Sequence, residues 1–574
     1  MKSQIFGMNK IEKKILVFVF IITTPLMAKV NFIQTNYQVP QEEIIISTNY
    51  NTILTGESLN INLWIKNKKS GKPSLISKVA YVDLIDHKEN IISQNKIAIS
   101  NSSGSLKLFI SENLTAGNYK LIAYTKSMLK GTNFQLLTKD LIVLNPFKKL
   151  PGNIQIKDSV HYNYSSEVST NRKLKINTDK KNYKKREAVK LEIINPENLI
   201  VNNALISITK VDSLDFININ EPSYPSFRLK NNSTIVPEVR GEAISGKLEY
   251  KEESNNNNLS NKYVILSIPQ NDYKLYLSQT NTEGEFNFTI PENGYDNEIF
   301  LQVFGENKDK FNITLNNPQI DYSNLKFKDS IKVSRELIEN IEERSIALQI
   351  ENAYYLNKKD SLMLERKKTT FYHPSEKVYV LENYTSFPTL EETIIEIIPE
   401  MYVSKKKNVR SIVLRDFKND FNKEIYDKTL VLVDGLPLQN FETFFEYNPK
   451  NIDRIELVNR GYIIGSKIFN GVVNFITKNE NYFEKVNDNY IHRFQIIRPQ
   501  TPTESYKPNY DNNKLSRIPD YRNQLLWIEN FKLNSPSEEV SFFASDLAGK
   551  YKISIQGISE EGTPISHSAY FDIQ

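Results

Sequence analysis

Cysteine is absent from all 574 residues. That absence excludes disulfides, thiolate nucleophiles, cysteine-ligated zinc, iron–sulfur clusters and a lipidated N-terminal cysteine. Histidine is scarce as well. The five histidines stand at positions 87, 161, 373, 492 and 567, and no two have the spacing of a metal-binding pair. There is no Gly-x-Ser-x-Gly elbow, no phosphate-binding loop and no Gly-rich dinucleotide fingerprint. Acidic pairs such as Glu42-Glu43 and Glu391-Glu392 are adjacent, so on a strand they face opposite ways and suit a solvated surface. The expectation is a protein that is not an enzyme, with no catalytic residues, no metal and no cofactor. A charge of one sign is also missing. The 73 basic and 68 acidic residues nearly cancel and are dispersed, which argues against nucleic acid as a partner. After residue 28 no apolar run approaches the ~20 residues that a membrane-spanning helix needs.

What is present begins with an address. Lys10, Lys13 and Lys14 precede an apolar run over residues 15–22 that continues to Ala28. A basic stretch followed by a short apolar core is the pattern of a secretory signal peptide, expected here over residues 1–28. The remaining chain is then exported to the periplasm or the outer membrane, with peripheral membrane association at most. Its length suggests about four domains.

Residues 29–147 consist of short alternating runs broken by turn residues. Residues 58–65 read SLNINLWI and place Leu59, Ile61, Leu63 and Ile65 on one face, the period of a half-buried strand. Residues 79–85, 106–110, 118–124 and 141–144 repeat the pattern with no helix between them, which predicts an antiparallel sandwich. A second set covers residues 174–194 and 204–212, within a unit spanning 173–239 after a linker at 148–172. A third set over 240–330 holds strands at 243–248, 262–268, 273–277 and 282–290, with an Asn-rich loop at 252–260. Residues 334–355 form the clearest helix. Ser334 is its N-cap candidate, and Leu337, Ile338, Ile341, Ile346 and Leu348 form its stripe, in a connecting segment over 331–384. Residues 385–480 mix helix and strand, and 481–574 return to strands ending in YFDI.

Four of these blocks resemble known families. TNYNTILTGESLNINLWI at 48–65, YVDLID at 81–86 and LTAGNYKLIAYT at 114–125 resemble an α2-macroglobulin-type MG domain, with its entry strand, Gly-Glu turn and late G-x-Y strand. Residues 174–194 resemble a second MG domain, with Lys185-Arg186-Glu187 at the turn. The protease-trapping thioester of macroglobulins needs cysteine, so the resemblance does not carry that chemistry. GEF at 284–286 resembles a transthyretin-like or carboxypeptidase-regulatory-like module. The order LRD (414–416), VDGLP (433–437), NIDRIELV (451–458), IIG (463–465) and NGVVNFITK (470–478) resembles the plug domain of TonB-dependent outer-membrane receptors. Asp416 stands where that family has glycine. A receptor barrel of about 22 strands needs more than ~200 residues, and only residues 479–574 follow. The chain is similar to barrel-less envelope proteins of Bacteroidota-like genomes that combine MG modules with a plug.

The fold expected is therefore mainly β: tandem antiparallel β-sandwich (MG/immunoglobulin-like) domains with one α/β plug-like domain, closed by MG-like strands. The resemblance implies a non-catalytic envelope interaction protein whose plug-like domain docks an outer-membrane β-barrel or assembly partner. The plug motif would supply the binding residues Arg415, Asp434, Gly435, Pro437, Asn470 and Gly471, with its Gly and Pro serving the turns. The alternative is a periplasmic or surface protein that binds a nutrient, glycan or peptide through the plug loops.

Overall fold

The computed structural model describes residues 41–148, 154–157, 174–212, 214, 221–231, 234–252, 258–269, 273–291, 296–328, 331–334, 336–362, 370–406, 409–415, 428–500, 503–511, 515 and 517–574. The signal segment, His161, Asp416, most of the linker and residues 253–257 of the Asn-rich loop lie outside them.

The chain is mainly β. In the first sandwich the strands Glu42–Thr48, Ser58–Asn67 and Ser103–Phe109 form one antiparallel sheet. Thr52–Leu54, Leu137–Leu144, Gly117–Tyr124, Val79–Ile85 and Ile91–Ala98 form the other. Leu59, Ile61, Leu63 and Ile65 are fully enclosed as the alternation predicts, but Asn62 and Trp64 on the opposite face are buried as well, so the strand is covered on both sides where only one was expected. Each of the four aliphatic side chains contributes roughly 1.5–3 kcal/mol relative to an exposed one. Glu42 departs from its surface expectation. Its carboxylate is buried and accepts hydrogen bonds from Ser74 Oγ at 2.6 Å and Thr125 Oγ1 at 2.9 Å, as well as from Ser77.

The second sandwich is built from two distant parts of the chain. Lys175–Thr178 pairs with Ala188–Ile194, which pairs in turn with Ser537–Phe543, while Val201–Lys210 lies between Gln524–Leu533 and Gly549–Ile558, with Pro564–Ile573 beyond. One core holds Val189, Leu191, Ile206 and Ile208 against Tyr551, Ile553, Ile555 and Phe571. This corrects the division into a 173–239 unit and a separate 481–574 unit. A period-two pattern fixes which face of a strand is buried, and it carries no information about which strand lies alongside.

Everything between these halves is inserted. The central sandwich pairs Glu285–Ile290, Glu242–Tyr250 and Phe311–Leu315 in one sheet. Lys274–Gln279, Tyr263–Ile268 and Glu298–Phe304 form the other. Ile491–Gln495, read with the C-terminal strands, completes that second sheet as its edge.

The helix runs Glu336–Ala353. Ser334, the N-cap candidate, ends the strand Ile331–Ser334, which pairs in parallel with Ile154–Lys157. Leu337 is buried, whereas Ile346 is 56% exposed; Arg344 and Ala347 take the inward positions. Positions 337, 341, 344 and 348 follow the helical spacing, so the arginine stands on the apolar stripe.

The α/β module has a five-stranded sheet in the order Lys377–Val380, Ile452–Val458, Val472–Thr477, Leu430–Val433, Leu436–Pro437, with Leu430–Val433 parallel to Val472–Thr477. Lys377–Val380 lies before the boundary expected at residue 385, so the module begins earlier. The helix Leu390–Ile397 is capped by Thr389, whose side chain accepts from the Glu392 amide, and it ends ahead of Pro399. The hairpin Met401–Lys406 with Val409–Leu414 packs beside it.

Candidate functional site

The plug-like motif folds as a set of joints. Val433 pairs with Leu436, so Asp434 and Gly435 are the two central residues of a tight hairpin. Their φ values of 47° and 80° are both positive, as a type I′ turn requires. Asp434 is fully buried and accepts from Thr477 N at 2.7 Å, Thr477 Oγ1 at 2.6 Å and Tyr482 N at 2.9 Å. Burial pushes its carboxyl above the ordinary value, against the lowering effect of these donors. The Gly435 amide donates to Asn474 Oδ1 at 3.2 Å, and a polar chain continues from Asn474 Nδ2 to Tyr372 OH at 2.7 Å and from Tyr372 OH to Glu456 at 2.8 Å.

The turn is pressed against the central sandwich. A side chain on Gly435 would begin 2.7 Å from the Tyr273 ring. Pro437 O accepts from Gln302 Nε2 at 3.1 Å, and Gln439 bonds Gln302, Val303 O and the Gly305 amide. Gly471 is buried at φ 78°, where a Cβ would meet Val458 O at 2.4 Å and Leu414 Cδ1 at 2.5 Å. Asn470 Nδ2 reaches Leu414 O at 3.3 Å. Arg415 is the exposed member of the six predicted residues. Its amide donates to Glu400 O at 2.7 Å, and its guanidinium lies 5.5 Å from the Tyr402 ring. Five of the six therefore hold the module together or fix it to its neighbour.

The accessible surface of the module lies elsewhere. Among the described residues no strand pairs with the outer side of Lys377–Val380. Exposed apolar side chains on the module include Val378, Ile395, Tyr402 and Val409, 39–59% exposed. Among the described residues no group of His, Asp and Glu could hold a metal, and no helix is long and apolar enough to cross a membrane.

Two polar regions escaped the sequence reading. A cavity of about 350 Å³ separates the first and central sandwiches. Lys96 and Lys126 line it and are paired with the buried Glu242 and Glu238 at 2.6 and 3.0 Å. Behind Tyr124 sits Asp83, which accepts from Tyr322 OH at 2.6 Å and Tyr124 OH at 3.2 Å. Burial raises its pKa from the ordinary 3.8 to about 6, outweighing those hydrogen bonds. The folded state then holds a proton that the unfolded chain has lost, so stability falls as pH rises from about 4 through about 6. Asp83→Asn, which resembles the protonated acid, is expected to stabilise the protein by about 1–3 kcal/mol at pH 7.5 and by almost nothing at pH 4. Denaturant midpoints at the two pH values measure this; equal effects at both would refute it. The signal available in the sequence was a lone Asp inside the apolar strand VAYVDLI.

No family profile matches this sequence, and no curated protein matches it. Among solved structures, this chain is similar to Escherichia coli α2-macroglobulin activated by porcine elastase, at 8% identity and a TM-score of 0.24, covering 93% of this chain and 44% of that one. It is likewise similar to Salmonella α2-macroglobulin reacted with methylamine, at 8% identity and a TM-score of 0.23, covering 93% and 39%. Dimeric latent PorU from Porphyromonas gingivalis covers 52% of this chain and 34% of its own at 9% identity, with a TM-score of 0.16. The chain thus spans less than half the length of the bacterial α2-macroglobulins it resembles, and at these TM-scores its architecture rests on its own strand pairing.

Proposed function

We propose that this chain is a non-catalytic, exported cell-envelope interaction protein whose α/β module docks an outer-membrane β-barrel or assembly partner, with the sandwiches as its rigid mount. The observation that carries this reading is the division of the module's surface. The turn at Asp434–Pro437 is sealed against Tyr273 and Gln302, while among the described residues no strand covers the outer edge of Lys377–Val380 and the hairpin beside it carries exposed apolar side chains. An unpaired strand edge offers backbone donors and acceptors to an extended partner segment, and exposed apolar side chains add specificity. The motif order resembling a receptor plug, the signal-like N-terminus and the sandwich modules resembling MG domains favour a partner in the envelope. A module fastened in this way cannot enter a barrel lumen as a free plug without breaking its own joint, so docking is assigned to its open edge.

Capture of the tagged full-length protein from cross-linked envelopes, followed by mass spectrometry, tests the reading. The expected result is one enriched outer-membrane barrel or assembly factor, lost in a Val378→Glu, Val409→Glu variant. Both sites are exposed (49% and 59%), so the melting transition should move little, by about 0.5 kcal/mol or less per site. Capture of no outer-membrane protein, or equal capture by the variant, counts against it.

A further inference from the structure

A second cleft lies far from the plug-like motif in sequence, where the first sandwich, the Glu336–Ala353 helix with the turn after it, and the chain entering Gln524–Leu533 converge. It encloses about 240 Å³, the space of about eight waters at ~30 Å³ each, which is the scale of one small organic ring.

Its lining combines three kinds of chemistry. The first is aromatic. Tyr50, Tyr355, Tyr506, Tyr521 and Trp527 contribute to the walls. Tyr50 is backed by the Arg344 guanidinium 3.9 Å from its ring, and the Trp527 indole is fixed by a 2.9 Å bond to Glu529. The second is amide. Gln524 Oε1 accepts from Asn49 Nδ2 at 2.8 Å and Asn60 Nδ2 at 2.7 Å, so three amide planes are held in one cluster, and Asn352 and Asn523 also line the cleft.

The third is charge already matched. Lys107 pairs with Asp360 at 2.6 Å, Lys358 with Glu351 at 2.6 Å, Arg522 with Asp520 at 2.7 Å and Glu57 with Arg344 at 2.6 Å. A charged ligand would have to compete with one of these pairs, whereas a neutral one would not. Amides donate and accept at once, which suits hydroxyl groups, and aromatic side chains in the walls suit the apolar C–H surface of a sugar ring, with Tyr355 exposed and Tyr50 and Trp527 largely buried.

We propose that this cleft binds a neutral saccharide unit. The site is independent of the docking surface and stands whether or not the α/β module has a partner. Titration of the full chain with glucose, galactose and N-acetylglucosamine, followed by tryptophan emission, tests it, because Trp527 lines the cleft. The expected result is a saturable change with at least one of the three sugars. Tyr355→Ala, at a side chain 59% exposed, should weaken that binding about tenfold while leaving the melting curve in place. No saturable change with any of the three overturns the proposal, as does unchanged affinity in the variant. Saturation by inorganic phosphate or glutamate in place of a sugar overturns the neutral assignment.

Discussion

Arg344→Met is expected to be the most damaging single substitution in the helix and to cost about 3–5 kcal/mol. The guanidinium is 3% exposed. It makes two parallel bonds to Glu57, at 2.6 and 2.8 Å, reaches Asp212 at 3.1 Å, and lies over Tyr50. Glu57 belongs to the Gly-Glu turn of the first sandwich, and its second oxygen also accepts from the Leu54 amide at 2.9 Å. Asp212 follows the Val201–Lys210 strand of the second sandwich. One side chain therefore ties the helix to two sandwiches. Methionine fills most of the space but leaves the buried Glu57 carboxylate without its Arg344 partner, and that penalty dominates. Adding Glu57→Gln should restore part of the loss by removing one stranded charge. Chemical denaturation with limited proteolysis of the helix reads both effects. A loss below about 1 kcal/mol for the single variant, or a double variant worse than the sum of its parts, would show that the pair is not a clamp.

Gly435→Ala should cost about 3 kcal/mol and loosen the α/β module from the central sandwich. The glycine has φ 80°, which is strained for an L-residue, and its added carbon would sit 2.7–2.8 Å from Tyr273 atoms. The backbone part of the cost is intrinsic to the turn, and the steric part belongs to the contact with Tyr273. A double-mutant cycle with Tyr273→Ala separates them. If the joint works as described, Gly435→Ala is milder by about 1 kcal/mol or more once the ring has gone. Purely additive effects would confine the glycine's role to its own hairpin and remove the basis for a sealed module face.

Local patterns were legible to within a few residues. The SLNINLWI strand, the helix before Pro399, the Asp-Gly hairpin and the Ile452–Val458 strand all stand where side-chain period and turn chemistry put them. The same patterns misled wherever identity depended on a partner. Ile346 fitted the apolar stripe loosely and faces solvent, while Arg344, on the stricter spacing, is enclosed because two carboxylates from other modules meet it. The plug-like motif was visible, but five of its six named residues turned out to be joints, since a Gly or Asp in a turn reads the same whether its far side meets water or Tyr273.

By itself, then, the sequence determined the strand-rich class, one buried face of each alternating strand, the tight turns and the exclusion of cysteine chemistry. These depend on contacts within a few residues, where spacing translates directly into geometry. Only the tertiary structure decided that residues 174–212 and 524–574 share one core, that Ile491–Gln495 completes the central sandwich, and that amides and aromatics from three segments line one cleft. Those pairings join residues hundreds of positions apart. They are selected by the total apolar surface that packing removes from water, a property of the whole assembled chain and not of any local run of residues.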